Sequence, residues 1–136
     1  GVVLAKESEA LSKMVLQVRM GFGSATGSGK QYFSWIHIDD LCRMYISAIE
    51  NDTIRGAYNA TAPEYITNNG FMRKLSLLLR KPFWFPNIPA FAMKILFGEM
   101  SGLLLRGSRI SSEKIRSTGF EFLYPDVESA LKNILK

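Results

Sequence analysis

A chain of 136 residues with 47% hydrophobic side chains can bury one core, or one core and a small satellite, which excludes a disordered polymer. Its 17 basic and 12 acidic residues leave a net charge of +5 and a pI near 9.5, a balance that favours anionic partners without selecting one. The single cysteine, Cys42, excludes an internal disulfide framework and points to a reducing, cytoplasmic setting.

Val2, Val3 and Leu4 read as a short strand. The chain thus opens without methionine, inside an apolar strand pattern, as a piece excised from a larger protein would; the four-residue apolar run is too short for a secretory signal. From Glu7 to Met20 the spacing predicts a helix, with Ala10, Leu11, Met14, Val15 and Val18 on one face. Gly21 to Lys30 is a glycine and serine loop. FSWIHI (residues 33–38) follows as a buried strand, with Phe33, Trp35 and His37 on one face and Ser34, Ile36 and Ile38 on the other. Asp39 or Asp40 then caps a helix whose apolar stripe is Leu41, Met44, Tyr45, Ala48 and Ile49 and which ends near Asn51. GAYNA (56–60) reads as another short strand, closed by the Ala62-Pro63 break.

The second half is richer in helix. Thr67 or Asn68 caps a segment carrying Phe71, Met72, Leu75, Leu78 and Leu79, which Pro82 stops; PFWFPNIP (82–89) is extended. A helical stretch from Ala90 to about Leu105 is expected to break near Gly98. Lys94, Glu99 and two glycines interrupt its apolar character, so no membrane span is expected. Ser111 caps a short helix ending at Gly119, Phe120, Phe122 and Tyr124 alternate as a last strand, and Pro125 and Asp126 open a terminal helix. The pattern predicts an α/β chain: the tail of a parallel sheet over residues 1–62, then a small, mostly helical unit over 63–136.

Two sequence features invite a chemical reading. The loop GFGSATGSGK fails as a phosphate loop, because Ser24 stands where the first glycine belongs and Gln31 follows the Gly-Lys pair. It also follows a helix and precedes a strand, the reverse of a dinucleotide turn. Its ordinary reading is a flexible lid or connector, and its functional reading has Lys30 and backbone amides touching an anion. His37 has no second histidine or cysteine near it for metal or nucleophile chemistry, so a structural role outweighs a catalytic one. Arg73, Lys74, Arg80 and Lys81 read as a solvated face. Arg106, Arg109, Lys114 and Arg116 form a second basic group, where an arginine pair would suit a diphosphate. Basic and aromatic residues do not alternate as on an RNA platform, and no nucleic-acid partner is expected.

GVVL, GSGKQYFSWIHIDDL, GAYNATAPE, FGEMSGLLLRGSRISSEKI and GFEFLYPDVESAL, in that order, resemble the C-terminal part of extended short-chain dehydrogenase/reductase proteins of the epimerase family, the nucleoside-diphosphate-sugar epimerases. The last third resembles their small C-terminal domain of unassigned function. This resemblance implies a partial Rossmann-like fold: residues 1–62 as the end of an NAD(P)-binding domain with its substrate-side loop, and 63–136 as an α-rich substrate-side domain. The family binds NAD or NADP through an upstream glycine-rich turn and uses a Tyr-x-x-x-Lys pair. None of Tyr32, Tyr45, Tyr58, Tyr65 and Tyr124 has lysine four positions on, so no catalytic residue carries over and no cofactor is expected for this chain alone.

By position, the resemblance makes Lys30, Gln31, Trp35, His37, Asn59, Arg106 and Arg109 the candidates for binding an anionic small-molecule substrate, a nucleotide sugar for example, with Asp39 and Asp40 as helix cap and no metal site. The implied function is that of the substrate-facing fragment of an NAD(P)-dependent epimerase or oxidoreductase, not catalytic on its own. The alternatives are a basic binding or homo-oligomerisation module, and a parent that keeps the fold as a scaffold without catalysis.

Overall fold

The structure, a computed structural model, describes residues 1–105 and 107–136. Strand β1 (Val2–Leu4) pairs in parallel with β2 (Trp35–His37), in the register Val2 opposite Trp35, Val3 opposite Ile36 and Leu4 opposite His37. Because side chains alternate across a strand, this register sorts the sheet into two faces. Leu4, Trp35 and Val2 face a large core built with α1 (Glu9–Arg19), α3 (Asn68–Leu78) and α7 (Val127–Ile134). On the opposite face, Val3 and Ile36 meet Met44 of α2 (Ile38–Glu50), Ile115, Phe120 and Phe122 in a smaller cluster. The large core draws on both sides of residue 62, so the two expected portions share one interior.

Helix α3 forms where expected, capped by the Thr67 hydroxyl on the Gly70 amide (3.2 Å), and buries Phe71, Met72 and Leu75 completely. Each such side chain contributes about 1.5–3 kcal/mol by leaving water. The long helical stretch breaks at Gly98, whose φ of +56° is a conformation that glycine adopts without penalty. It divides into α4 (Ala90–Phe97), a 3-10 turn (Gly98–Met100) and α5 (Ser101–Leu105). The short helix α6 (Glu113–Arg116) has Ser112 at its cap position, while the Ser111 hydroxyl accepts from the Glu113 amide at 3.1 Å.

Two expected strands are absent among the described residues. Residues 56–60 form no ladder with β2, and the chain bonds to the β2 edge at Thr61 and Ala62, whose hydroxyl and amide donate to the Trp35 carbonyl at 3.3 and 2.6 Å. Residues 120–124 also stay out of any sheet, because the Leu123 and Tyr124 amides are taken by a side chain instead, the Asp40 carboxylate. Nor is the α2 stripe buried as its periodicity implies. Met44 is covered and Leu41 half-buried, but Tyr45, Ala48 and Ile49 are exposed.

Helix α7 starts from a complete cap. The Asp126 carboxylate accepts from the Ser129 amide at 2.9 Å, and Glu64 Oε2 accepts from the Val127 amide at 2.6 Å. Both acids sit at the positive end of the helix dipole. Hydrogen bonding to the Ser129 backbone holds the Asp126 carboxyl below its ordinary range. Asp126→Ala should lower stability by about 1 kcal/mol in urea unfolding at pH 7. Since the folded form binds its proton less readily than the unfolded form, the wild-type advantage is full above the ordinary carboxylate range. It fades as pH falls through the depressed folded value. Equal stability of the two proteins at pH 7 would contradict the cap.

Candidate functional site

The glycine loop, expected as a flexible lid or connector, is a connector tied to the segments around it. Gly23, Ser24, Ala25, Thr26 and Gly29 are buried. The Thr26 amide donates to Asn68 Oδ1 on α3 (2.8 Å), the Gly27 amide to the Ile88 carbonyl (2.9 Å) and the Gly29 amide to the Thr26 carbonyl (3.0 Å). Isolated bridges join Gly23 to Phe83 and Thr26 to Ile88. A Cβ on Gly23 would lie 2.4 Å from the Pro82 carbonyl oxygen, so this contact requires glycine. With these amides committed to the protein, the loop is not a cradle for a pyrophosphate.

Beyond the loop, the candidate residues separate into two groups. Lys30 is exposed, and Gln31 is fastened by its side-chain amide to the Thr26 carbonyl at 2.9 Å. The segment 107–111 crosses beside them. Gly107 packs so tightly on Tyr32 that a Cβ would come within 1.8 Å of the Tyr32 carbonyl oxygen. Ser34 Oγ donates to the Ser108 carbonyl at 2.7 Å, and Asn59 Nδ2 donates to the Ser111 carbonyl at 3.2 Å. Arg109 lies over the Tyr65 ring at 4.2 Å, a cation–π contact. Segment 107–111 thus brings Arg109 and Asn59 alongside the Tyr32–Ser34 stretch, which Lys30 and Gln31 precede in sequence, as one polar strip; Arg106 lies outside the described residues. The crevice between Tyr32, Tyr65 and Arg109 is closed to anything the size of water, so the strip is a surface, not a pocket.

Trp35 and His37 form the second group, and both are in the core. They are 0% and 1% exposed, so no ligand touches them in this arrangement. His37 Nδ1 accepts from the Asp39 amide at 3.1 Å, Nε2 lies 3.2 Å from Asn133 Oδ1, and the ring stacks on Tyr124 at 3.9 Å. With Nδ1 as acceptor, the proton sits on Nε2 and points at Asn133. His37 is thus the helix cap, a correction to the expectation for Asp39 or Asp40: the helix begins at Ile38, two residues too early for Asp39 and three for Asp40 to cap it. Asp39 is left in the first turn, where the dipole favours it.

Asp40 has a different task that its position alone does not reveal. Fully buried, it accepts the Leu123 amide at 2.7 Å on one oxygen and the Tyr124 amide at 2.9 Å on the other, with Arg43 at 3.4 Å. Arg43 also donates to the Glu121 carbonyl at 2.8 Å. Among the described residues no group of three His, Cys, Asp or Glu side chains is placed to hold a metal. The polar strip and this clamp are the two built features of the region.

Residues 88–134 match DUF1731, a domain of unknown function. The whole chain is 38% identical over 136 residues to the chloroplastic epimerase family protein SDR39U1 homolog of Arabidopsis thaliana, and covers 39% of that protein. The human epimerase family protein SDR39U1, solved with NADPH, superimposes with a TM-score of 0.89 at 33% identity. It is matched along 98% of this chain and 45% of its own length. This chain is the counterpart of the C-terminal part of epimerase-family proteins. It spans less than half the length of those relatives. A nucleoside-diphosphate sugar epimerase from Corynebacterium glutamicum also superimposes, with a TM-score of 0.70 at 26% identity over 99% of this chain and 25% of that one. The fold class is therefore α/β and partly Rossmann-like, as the resemblance implied.

The strand-to-helix junction of this chain thus carries a clamp, and this can be checked. Asp40→Asn replaces one acceptor oxygen with an amide nitrogen and leaves a backbone N–H unsatisfied, so it should cost about 1–3 kcal/mol in urea unfolding. Asp39→Asn, at an exposed dipole position, should cost under about 1 kcal/mol. Equal costs for the two would remove the special role of Asp40.

Proposed function

We propose that this chain is the substrate-facing C-terminal portion of an NAD(P)-dependent short-chain dehydrogenase/reductase, a nucleoside-diphosphate-sugar epimerase or oxidoreductase, whose cofactor is bound by residues outside these 136. One observation carries the reading: β1 has no partner on its second edge among the described residues. Parallel sheets are normally buried within larger sheets and covered on both faces, and two strands make a poor sheet alone. The exposed Tyr45, Ile46 and Ile49 on α2 supply an apolar surface of the kind that further helices and strands would cover. The sequence agrees in lacking the Tyr-x-x-x-Lys pair.

In this reading the strip of Lys30, Gln31, Asn59 and Arg109 meets the anionic part of the substrate, and the lone exposed Cys42 fits a reducing, cytoplasmic compartment. A basic docking module is less well supported. Lys74 pairs with Glu64 at 2.6 Å, and Lys114 lies 4.4 Å over the Tyr58 ring while donating to the Ala57 carbonyl. These charges serve the protein's own contacts before any partner's. No helix among the described residues is long and apolar enough to cross a membrane.

Calorimetry separates the readings. The 136-residue chain should give no saturable heat with NADPH or NADH, and saturable binding would overturn the proposal. In the longer protein, Lys30→Ala and Arg109→Ala should each weaken binding of an anionic substrate about tenfold, the worth of one charge-assisted hydrogen bond. Unchanged affinity in both would remove the strip from the site.

A further inference from the structure

Helix α1 presents to solvent a face whose charge the rest of the chain does not use. Between this helix and the residues that end α7 runs a trough of about 460 Å³, lined by Lys6, Leu11, Val15, Leu16, Arg19 and residues 134–136. None of its lining residues belongs to β1, to α2 or to the polar strip, so the site proposed above leaves it untouched.

The periodicity of α1 sets the shape of the trough. Leu11, Val15 and Arg19 follow one another four residues apart, and Ser12 and Leu16 form the adjacent row. Two such rows leave a furrow between them, the form that takes the matching row of another helix. The floor is fixed, because Leu11 and Ile134 are buried in the core, while Leu16 stands exposed on the rim. Ser12 is the single neutral polar side chain in the lining, so a ligand rich in donors and acceptors finds few partners there.

The charge is one-sided. No aspartate or glutamate lines the trough, and neither Lys6 nor Arg19 is in an ion pair among the described residues. Lys136 brings an ammonium and the terminal carboxylate together and adds no net charge. Lys6 lies before the first turn of α1 and Arg19 in its last, so the whole helix, about 16 Å long, separates them. An anion the size of phosphate cannot meet both. An occupant with acids at its two ends and apolar side chains between them can.

We infer that this trough docks an acidic amphipathic helix of a partner protein, its apolar stripe on Leu11, Val15 and Leu16 and a carboxylate at each end against Lys6 and Arg19. The inference goes beyond the proposed function and does not depend on it.

The probe is a fluorescein-labelled peptide of about 14 residues, roughly 20 Å long as a helix, with leucines at i, i+3, i+4 and i+7, a pair of glutamates at each end and alanine or glutamine elsewhere. Its anisotropy should rise saturably at one peptide per chain. Lys6→Glu and Arg19→Glu, both at exposed positions, should each weaken binding at least fivefold. A peptide with lysines in place of the glutamates should bind the double variant more tightly than the wild type, which a variant that had merely unfolded would not do. Replacing the leucines by alanines should abolish binding. Met20→Ser, at an exposed position next to Arg19 but outside the trough, should leave it unchanged. Non-saturable binding, undiminished binding to the double variant, an equal loss in Met20→Ser, or a wild-type dimer that the peptide dissociates would overturn the assignment, the last by giving the trough to a second copy. The titration involves neither cofactor nor substrate, so its failure is distinguishable from failure of the proposed function.

Discussion

A fully buried carboxylate at Asp40 holds the two ends of this chain together. Removing such a group from water is costly unless hydrogen bonds replace the lost hydration. Here the replacement comes from residues 83 and 84 positions away, the Leu123 and Tyr124 amides, and from Arg43 one helical turn on. The demand for partners therefore fixes where the C-terminal segment must lie. Once it lies there, Tyr124 stacks on His37 and Asn133 meets the His37 ring, so the strand, the helix and the tail are set by one network.

Glu64 plays a matching part on the other side of the core. One of its oxygens pairs with Lys74 on α3 and the other takes the Val127 amide at the start of α7, at 2.6 Å in each case. These two acids brace the C-terminal helix against the sheet and against α3. The polar strip inherits its geometry from the frame, since Gly107, Ser108 and Ser111 are each fastened to the segments around β2. What the chain does not brace is also informative. The free edge of β1 and the bare face of α2 are the surfaces that the proposed remainder of the protein would occupy.

Local rules made much of this legible. The stripe of α3, the Thr67 and Asp126 caps and the break at Gly98 all follow from spacing and backbone preference within a few residues. The failures share one cause, which is that distant partners decide. Phe120, Phe122 and Tyr124 alternate like a strand, but their backbone is claimed by Asp40. The loop from Gly21 to Lys30 has the composition of a lid, but Asn68 and residues 83–88 tie it down. His37 displaces Asp39 and Asp40 as cap because the helix starts at Ile38, two residues earlier than a cap at Asp39 requires.

Amide hydrogen exchange at Leu123 and Tyr124 tests the central claim most directly. These amides lie outside every helix and strand, and side chains near them are only partly covered. If Asp40 clamps the tail to the strand-to-helix junction, both should exchange as slowly as the amides in the middle of α2, because opening them means breaking the core. Exchange as fast as in the turn at residues 52–53 would show that the tail opens independently, and would contradict the account.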